Sequence, residues 1–267
     1  MPRQIYAAGD TTCALNGLGA VACWGDNSTG ATNAPGGMFV QVSTNGLWSC
    51  GVRINGNIVC WGFELELRPS APEGPFLQYS ADLGNCGLRT DGSVDCWNII
   101  GDPMSAPAGS FVQISGRCGV RTDNTVACWG DGGNFFGEDN PPAGAFVQVS
   151  ARSFHSCGIR TDGSVECWGL NSEGQSSPPA GSFVQVSVGR RHTCAVRIDT
   201  TIACWGLDNF GQSSPPDGSF VQVSAGTAHS CALDTDRNVV CWGNNDFGQA
   251  ASFEFPPLGG LELPLSD

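Results

Sequence analysis

The chain has 267 residues, with 38 Gly, 16 Pro and 14 Cys, and its 25 acidic residues outnumber 12 Arg, giving a net charge of −13. This much glycine and proline excludes a fold built from long helices, and no stretch is long and apolar enough to cross a bilayer as a helix. Because the chain has no Lys, it lacks the clustered basic side chains that bind phosphate backbones. We expect neither a nucleic-acid partner nor membrane insertion.

Seven copies of one unit follow one another along the chain. In each copy two cysteines lie ten positions apart and Trp follows the second, and successive first cysteines are 37, 36, 32, 39, 37 and 37 residues apart. The pairs are Cys13 and Cys23, Cys50 and Cys60, Cys86 and Cys96, Cys118 and Cys128, Cys157 and Cys167, Cys194 and Cys204, and Cys231 and Cys241. We therefore predict one domain over residues 1–267, made of seven repeats of about 37 residues.

The sequence of each unit predicts several short β-strands. Six copies of a segment like MFVQVS begin at residues 38, 75, 110, 145, 182 and 219, and the N-terminal QIYAAG is a diverged version of it. The cysteine segment then predicts a β-hairpin, because Asp162-Gly163 separates two β-branched runs with period-two alternation. Three strands per unit, with room for a short fourth, predict an all-β, seven-bladed β-propeller with one Cys-x9-Cys hairpin per blade. A linear β-solenoid is the alternative. Either QIYAAG or the tail PPLGGLELPLSD is expected to complete an end blade.

The hairpin places the two cysteines of each unit opposite each other. Directly opposed residues of antiparallel strands have Cα atoms about 4.5–5.5 Å apart, and disulfides span roughly 4.4–6.8 Å. All fourteen cysteines are therefore predicted to form seven disulfides within their own blades, with buried thiols as the alternative. Disulfides imply an oxidising compartment. We expect an extracellular protein, although MPRQIYAAGD does not read as a signal peptide.

The last unit carries the clearest family resemblance. Its runs FVQVSAGTAHSCAL (220–233) and VVCWGNNDFGQ (239–249) resemble the repeat of the regulator of chromosome condensation family. The resemblance covers all seven units and is sharpest in the last three. It implies a seven-bladed propeller, and the short repeat is similar to that of the secreted beta-lactamase inhibitory protein II type. The fold itself hosts unrelated functions.

Catalytic and metal-binding patterns are sparse, so we expect no enzyme activity, no cofactor and no metal. His155, His192 and His229 each lie two residues before a cysteine, and we predict that each bonds its own loop rather than joining a metal site. The acidic pair Glu138-Asp139 lies in a Gly-rich loop without the pattern of a calcium-binding loop. The seven Trp that follow cysteines are predicted to pack between adjacent blades.

The loops before the first cysteine and after Trp-Gly are expected to emerge on one face. They differ from copy to copy, whereas the hairpin turns at the opposite face stay alike. Variable loops on a rigid scaffold are the usual place for binding residues, and aromatic residues and Arg are common interface anchors. The predicted binding residues are Leu47, Trp48, Phe63, Phe135, Phe136, Phe154, Arg190 and Arg191. Phe210 and Phe247, in near-identical contexts, are predicted to pack between blades.

The sequence thus predicts an extracellular, monomeric, non-enzymatic module that recognises a protein partner through its variable face. A carbohydrate-binding lectin is one alternative, because a propeller can repeat a sugar pocket from blade to blade. A structural module of a larger surface protein is another. Loops that differ between copies favour a single protein partner over repeated glycan pockets.

The disulfide prediction is tested by alkylating the denatured, unreduced protein and measuring its intact mass. We expect no added mass, because all fourteen sulfurs are in disulfides. Addition to all fourteen cysteines would show that they are packing thiols, and the extracellular assignment would lose its support.

Overall fold

The computed structural model describes residues 1–63, 71–81, 85–98, 101–130, 134–253 and 255. These residues form 22 strands in seven antiparallel sheets, which confirms the predicted all-β propeller. Each sheet is a blade formed by one contiguous stretch of chain, with an inner, a middle and an outer strand. Within these ranges no helix is long and apolar enough to span a membrane.

The inner strands surround the axis of the ring. Inner strands of consecutive blades contact each other, and the inner strand of blade 7 contacts that of blade 1. Together they line an axial channel with a cavity of about 220 Å3. They are β1 (Pro2–Ala8), β4 (Phe39–Thr44), β7 (Phe76–Ser80), β11 (Phe111–Ser115), β14 (Phe146–Arg152), β17 (Phe183–Val188) and β20 (Phe220–Ala225).

The middle strand of each blade pairs antiparallel with the inner strand and begins the predicted hairpin. Its cysteine is buried, with 0 or 1% of its surface exposed in every blade. The middle strands are β2 (Thr11–Asn16), β5 (Trp48–Arg53), β8 (Asn85–Arg89), β12 (Cys118–Arg121), β15 (His155–Arg160), β18 (His192–Arg197) and β21 (His229–Asp234).

The outer strand completes the hairpin and brings the second cysteine opposite the first. All seven pairs are bonded as predicted, and each joins directly opposed residues, as Cys157 and Cys167 do. The outer strands are β3 (Val21–Gly25), β6 (Ile58–Gly62), β9 (Val94–Trp97), β13 (Val126–Cys128), β16 (Val165–Gly169), β19 (Ile202–Gly206) and β22 (Val239–Gly243). Among the described residues only blade 3 has the predicted fourth strand, β10 (Pro103–Met104).

A belt of glutamines joins each inner strand to the next. In every blade the glutamine Oε1 accepts the backbone N–H of a residue on the following inner strand, at 2.8–3.2 Å. Five of the seven also donate Nε2–H to the carbonyl of that same residue, as Gln148 does to Val186. The seven are Gln4, Gln41, Gln78, Gln113, Gln148, Gln185 and Gln222. Because an unpaired strand edge otherwise leaves its backbone groups without partners, the belt pairs the exposed inner edge of each sheet.

Serines extend this pairing one step further along the strand. Six serine hydroxyls accept a backbone N–H of the following blade, at 2.7–3.2 Å. They are Ser43, Ser80, Ser115, Ser150, Ser187 and Ser224. The segment FVQVS thus combines a strand with two side chains that recognise the next blade.

The ring closes by side-chain packing between blades 7 and 1. All of QIYAAG except Gly9 lies in β1, which completes the sheet of blade 1, while the tail PPLGGLELPLSD lies outside the described residues. Ile5 and Ala14 of blade 1 pack against Cys231, Leu233 and Val239 of blade 7 in one buried cluster. In the described residues no sheet contains strands from both ends of the chain, so the closing junction resembles the other six.

The tryptophans after the second cysteines pack at blade junctions, as predicted. Trp205 of blade 6 packs in a buried cluster with Cys157 and Ile159 of blade 5. Its Nε1–H donates to the Gln175 carbonyl, 2.8 Å away, in the linker that leads from blade 5. Trp61, Trp168 and Trp242 donate to the same place in their own preceding linkers. Each of these four indoles therefore holds the linker that crosses its junction.

The three histidines also cross blade junctions, so the prediction that each bonds its own loop is wrong. The Nε2 atoms of His155, His192 and His229 lie 2.8 Å from Thr193 Oγ1, Ser230 Oγ and Thr12 Oγ1 of the following blade. Each of those hydroxyls already donates its proton to a linker carbonyl. The histidine must therefore donate Nε2–H to the hydroxyl oxygen, which leaves Nδ1 unprotonated.

Burial keeps these histidines neutral. Each Nδ1 is buried and has no hydrogen-bond partner among the described residues. Burial lowers the pKa of each histidine to about 3, and the Arg152 charge acts in the same direction. A proton on Nδ1 would place a charge inside a junction where no acceptor faces it.

The glutamine belt predicts a cost for each amide removed. Gln148→Ala takes both hydrogen bonds from the backbone of Val186, and we expect it to lower the free energy of unfolding by roughly 1–3 kcal/mol. Urea unfolding with the disulfides intact measures this. Val147→Ala, beside it and 55% exposed, is the control and should cost less than about 1 kcal/mol. Equal costs for the two variants would contradict the role of the belt.

The histidine junctions predict a loss of stability at mildly acidic pH. An unfolded histidine titrates near 6.5 whereas the folded ones titrate near 3, so the unfolded chain binds more protons between these values. The contribution of the histidines to the free energy of unfolding is therefore fully present above pH 6.5 and decreases as the pH is lowered towards 3. His192→Gln should flatten this dependence between pH 6.5 and 4.5 in urea titrations. An equally steep dependence in the variant would contradict the assignment.

Candidate functional site on the near face

The two faces of the propeller follow from the strand register. His155, at the start of a middle strand, pairs with Gly169, at the end of an outer strand. The loops before the first cysteine and after Trp-Gly therefore emerge together, as the topology predicts. We call this end of the ring the near face and the end with the hairpin turns the far face.

A cavity of about 300 Å3 lies where the axial channel meets the near face. Five blades contribute residues to it, all from the ends of inner strands and the loops that lead into middle strands. The lining residues are Gly9, Asn45, Arg152, Ser153, Phe154, Arg190 and Thr227. Two of the predicted binding residues, Phe154 and Arg190, thus line one cavity.

We call this cavity the mouth of the channel. Two arginines give the mouth a positive charge. Arg152 lines both the channel and the mouth, and its Nη1–H donates to the Ala225 carbonyl, 2.9 Å away across the ring. Arg190 is exposed, and its backbone N–H bonds the Gly226 carbonyl at 3.1 Å. Nearby, the pKa of Asp10 is raised, first by burial and then by Asp26, while Arg190 acts in the opposite direction.

Aromatic side chains lead from this mouth across the near face. Phe154 is half-buried and meets Phe136 edge-on, with ring centroids 6.0 Å apart. Phe136 is 48% exposed, and Phe135 beside it is 83% exposed. The structure therefore brings these three predicted residues together.

The other predicted residues lie apart from this cluster. Trp48 occupies the register position of the histidines, opposite Gly62, and packs half-buried against the core cluster that contains Tyr79 and Trp97. Its neighbour Leu47 is 49% exposed. The structure thus places Trp48 at a blade junction and leaves Leu47 as the accessible residue of the pair.

Phe63 and Arg191 are held by local contacts. Phe63 is half-buried in a left-handed conformation (φ 48°), and its N–H donates to the Thr29 carbonyl, 2.6 Å away. Arg191 is exposed, with Nη1 3.3 Å from Glu173 Oε1. An exposed pair of this kind contributes little stability, so Arg191 remains available at the surface.

The prediction that Phe210 and Phe247 pack between blades is wrong. They are 56 and 57% exposed. Their backbone N–H groups donate to Gln212 and Gln249 Oε1, at 2.9 Å, and the glutamines are the buried residues of the turn. Phe136 holds the same position in blade 4, where its N–H donates to Glu138 Oε2.

Sequence reasoning therefore missed a recurring aromatic position on the near face. The signal was the shared Phe-Gly-Gln or Phe-Gly-Glu motif, whose third residue turns inward and directs the phenylalanine outward.

The acidic pair Glu138-Asp139 is partly buried. Glu138 is 4% exposed, and burial raises the pKa of its neighbour Asp139 while Arg117 opposes that shift. Among the described residues, no three His, Cys, Asp or Glu side chains are arranged to hold a metal ion.

Comparison with known proteins identifies the repeats. Residues 146–175, 183–212 and 220–249 match the family model "Regulator of chromosome condensation (RCC1) repeat". These are the three units in which the sequence resemblance is sharpest. Among curated proteins there is no match to this chain.

Solved propellers share the architecture. The CRINKLY WD40 ectodomain of the Arabidopsis thaliana receptor kinase ACR4 superposes with a TM-score of 0.77 at 26% identity, covering 96% of this chain and 99% of that one. The ectodomain of the Physcomitrella patens receptor kinase CR4 gives 0.74 at 24% identity, covering 90% and 72%. Yeast RCC1 (Prp20), in its structure with Kap60, gives 0.53 at 15% identity, covering 92% and 70%. The chain is a seven-bladed, disulfide-bonded propeller whose last three blades match the RCC1 repeat model.

Proposed function

We propose that this chain is an extracellular, non-enzymatic module that binds a protein partner through its near face. The observation that carries the proposal is the continuous surface formed by the Arg-lined mouth and the exposed phenylalanines beside it. Exposed apolar groups rimmed by polar residues mark interaction sites. Central aromatic and Arg side chains supply most of the binding energy at such sites.

The scaffold supports this role. Each middle and outer strand pair is closed by a disulfide, and the glutamine belt fixes the inner strands, so near-face loops start from rigid positions. Rigid presentation lowers the entropy lost on binding. Seven disulfides, together with the likeness to receptor-kinase ectodomains, support an extracellular location.

Glycan binding is the second candidate. Phe136, Phe210 and Phe247 occupy equivalent exposed positions in three blades, which is the kind of repetition that a lectin requires. The loops around them differ, however: Phe136 has a second phenylalanine beside it and a half-buried Phe154 beneath it, whereas Phe210 follows Asp208-Asn209 and Phe247 follows Asn245-Asp246. These differences favour one protein surface over repeated pockets.

The proposal is tested by screening the immobilised chain against purified extracellular proteins and a glycan array. We expect a protein ligand whose affinity falls about tenfold or more in the double variant Phe135→Ala, Phe136→Ala, because exposed aromatic anchors carry interface energy. Surface plasmon resonance gives the affinities.

The matched control is the double variant Leu77→Ala, Val112→Ala, whose side chains are similarly exposed, at 53 and 54%. Both residues lie at the far-face ends of inner strands, where the preceding residue pairs with the last residue of the middle strand before the hairpin turn. It should change the affinity less than about twofold, as a substitution outside an interface does. Loss of binding in the control but not in the near-face variant would place the interface on the far face. Binding to glycans alone would establish the lectin.

A further inference from the structure

The mouth of the channel has a chemistry unlike that of the chain as a whole. Its lining residues include two arginines and no carboxylate, although the chain carries a net charge of −13. Asn45, Ser153 and Thr227 add hydrogen-bonding groups, and Phe154 adds an aromatic face. A cationic, polar cavity with one aromatic wall suits an anion carried on a short apolar stem.

Arg152 fixes a positive charge at the axis. Its Nη1 lies 2.9 Å from the Ala225 carbonyl and 3.5 Å from the Ala7 carbonyl, so the side chain reaches from blade 5 to blades 7 and 1. Its charge lowers the pKa of His155, His192 and His229. The positive potential of this end of the channel is therefore built into the folded ring.

Arg190 supplies the accessible donor. Two other arginines of the near face form ion pairs. Arg117 Nη2 lies 3.7 Å from Asp139 Oδ2, and Arg191 Nη1 lies 3.3 Å from Glu173 Oε1. Within the part of the chain that the structure describes, the Arg190 guanidinium makes neither a hydrogen bond nor an ion pair. Its backbone is nevertheless held by Gly226, so the side chain starts from a fixed position beside the cavity.

We propose that this mouth binds a carboxylate presented by the protein partner, on an aspartate or glutamate side chain of a projecting loop. A guanidinium matches a carboxylate through two parallel N–H···O bonds, and Phe154 would contact the methylene stem. The inference rests on the proposed function, because the aromatic cluster that begins at Phe154 continues onto the surface offered to the partner.

The test uses tetraglutamate capped at both ends, with capped tetraglutamine as the neutral probe, in isothermal titration calorimetry at 0.15 M salt. At this ionic strength the screening length is about 8 Å, so the net negative charge of the chain does not mask a local site. We expect binding of the glutamate peptide only. Arg190→Gln should weaken it about tenfold, because a hydrogen bond to a charged group is lost.

Arg237→Gln is the matched control, since it removes the same charge from an exposed arginine in the hairpin turn of blade 7, on the far face. It should change the affinity less than about twofold. Equal losses in the two variants, or no binding of the glutamate peptide to the wild-type chain, would overturn the inference. Competition by sodium sulfate at concentrations equal to the peptide would also overturn it, because the site would then select any anion.

Failure here is distinguishable from failure of the proposed function. The peptide titration needs no natural partner, and the Phe135, Phe136 double variant tests near-face recognition without using the cavity. Suppose that the wild-type chain binds a protein through its phenylalanines but shows no binding of tetraglutamate. This result would leave the proposed function intact and contradict this inference alone.

Discussion

Hydrogen bonds from the amide of each belt glutamine to the next inner strand hold the seven blades together. Each sheet has an inner edge whose backbone groups have no further strand to pair with. Gln148, reaching across to Val186, satisfies both a donor and an acceptor of the neighbouring edge. Repetition of this contact around the axis turns seven small sheets, none of which buries both faces alone, into one closed ring.

Apart from Arg152, which lines the mouth and also bonds across the ring, the contacts that hold the ring together lie away from the residues proposed for recognition. The belt joins the inner strands to one another. The disulfides close the hairpins, and the tryptophans pack at the blade junctions. The histidine position shows this separation within one segment, because His155 is buried and bonds the next blade, whereas the preceding Phe154 is half-buried and contacts the exposed Phe136. Near-face loops can therefore differ between blades without changing the contacts that hold the ring.

Most of the fold could be predicted from the sequence, because its determinants are local and repeated seven times. A cysteine pair on both sides of Asp162-Gly163 defines a hairpin, and its disulfide follows from register. Contacts between blades were less accessible. Nothing within FVQVS shows that its glutamine bonds another blade, and nothing beside His155 shows that its partner is Thr193, 38 residues away.

The candidate site was only partly predictable, for the same reason. Phe154 and Arg190 could be selected from composition and topology, but their convergence on one cavity depends on the curvature of the ring. Phe210 was misjudged because its context repeats, and repetition suggests packing. The buried partner is the glutamine two residues later, which holds the backbone of the turn and directs the aromatic ring into solvent.

Every blade is a contiguous stretch of chain, and no sheet of the described residues combines strands from the two ends of the chain. The repeat is therefore also a unit that gene duplication can copy whole. Duplicating or deleting the codons for one unit would add or remove a complete blade and leave no strand without its sheet. The belt accommodates such a change, since each glutamine bonds the backbone of whichever blade follows and does not depend on that blade's side chains. Rings of this kind can therefore diversify by copying whole units, after which the near-face loops of each copy are free to diverge.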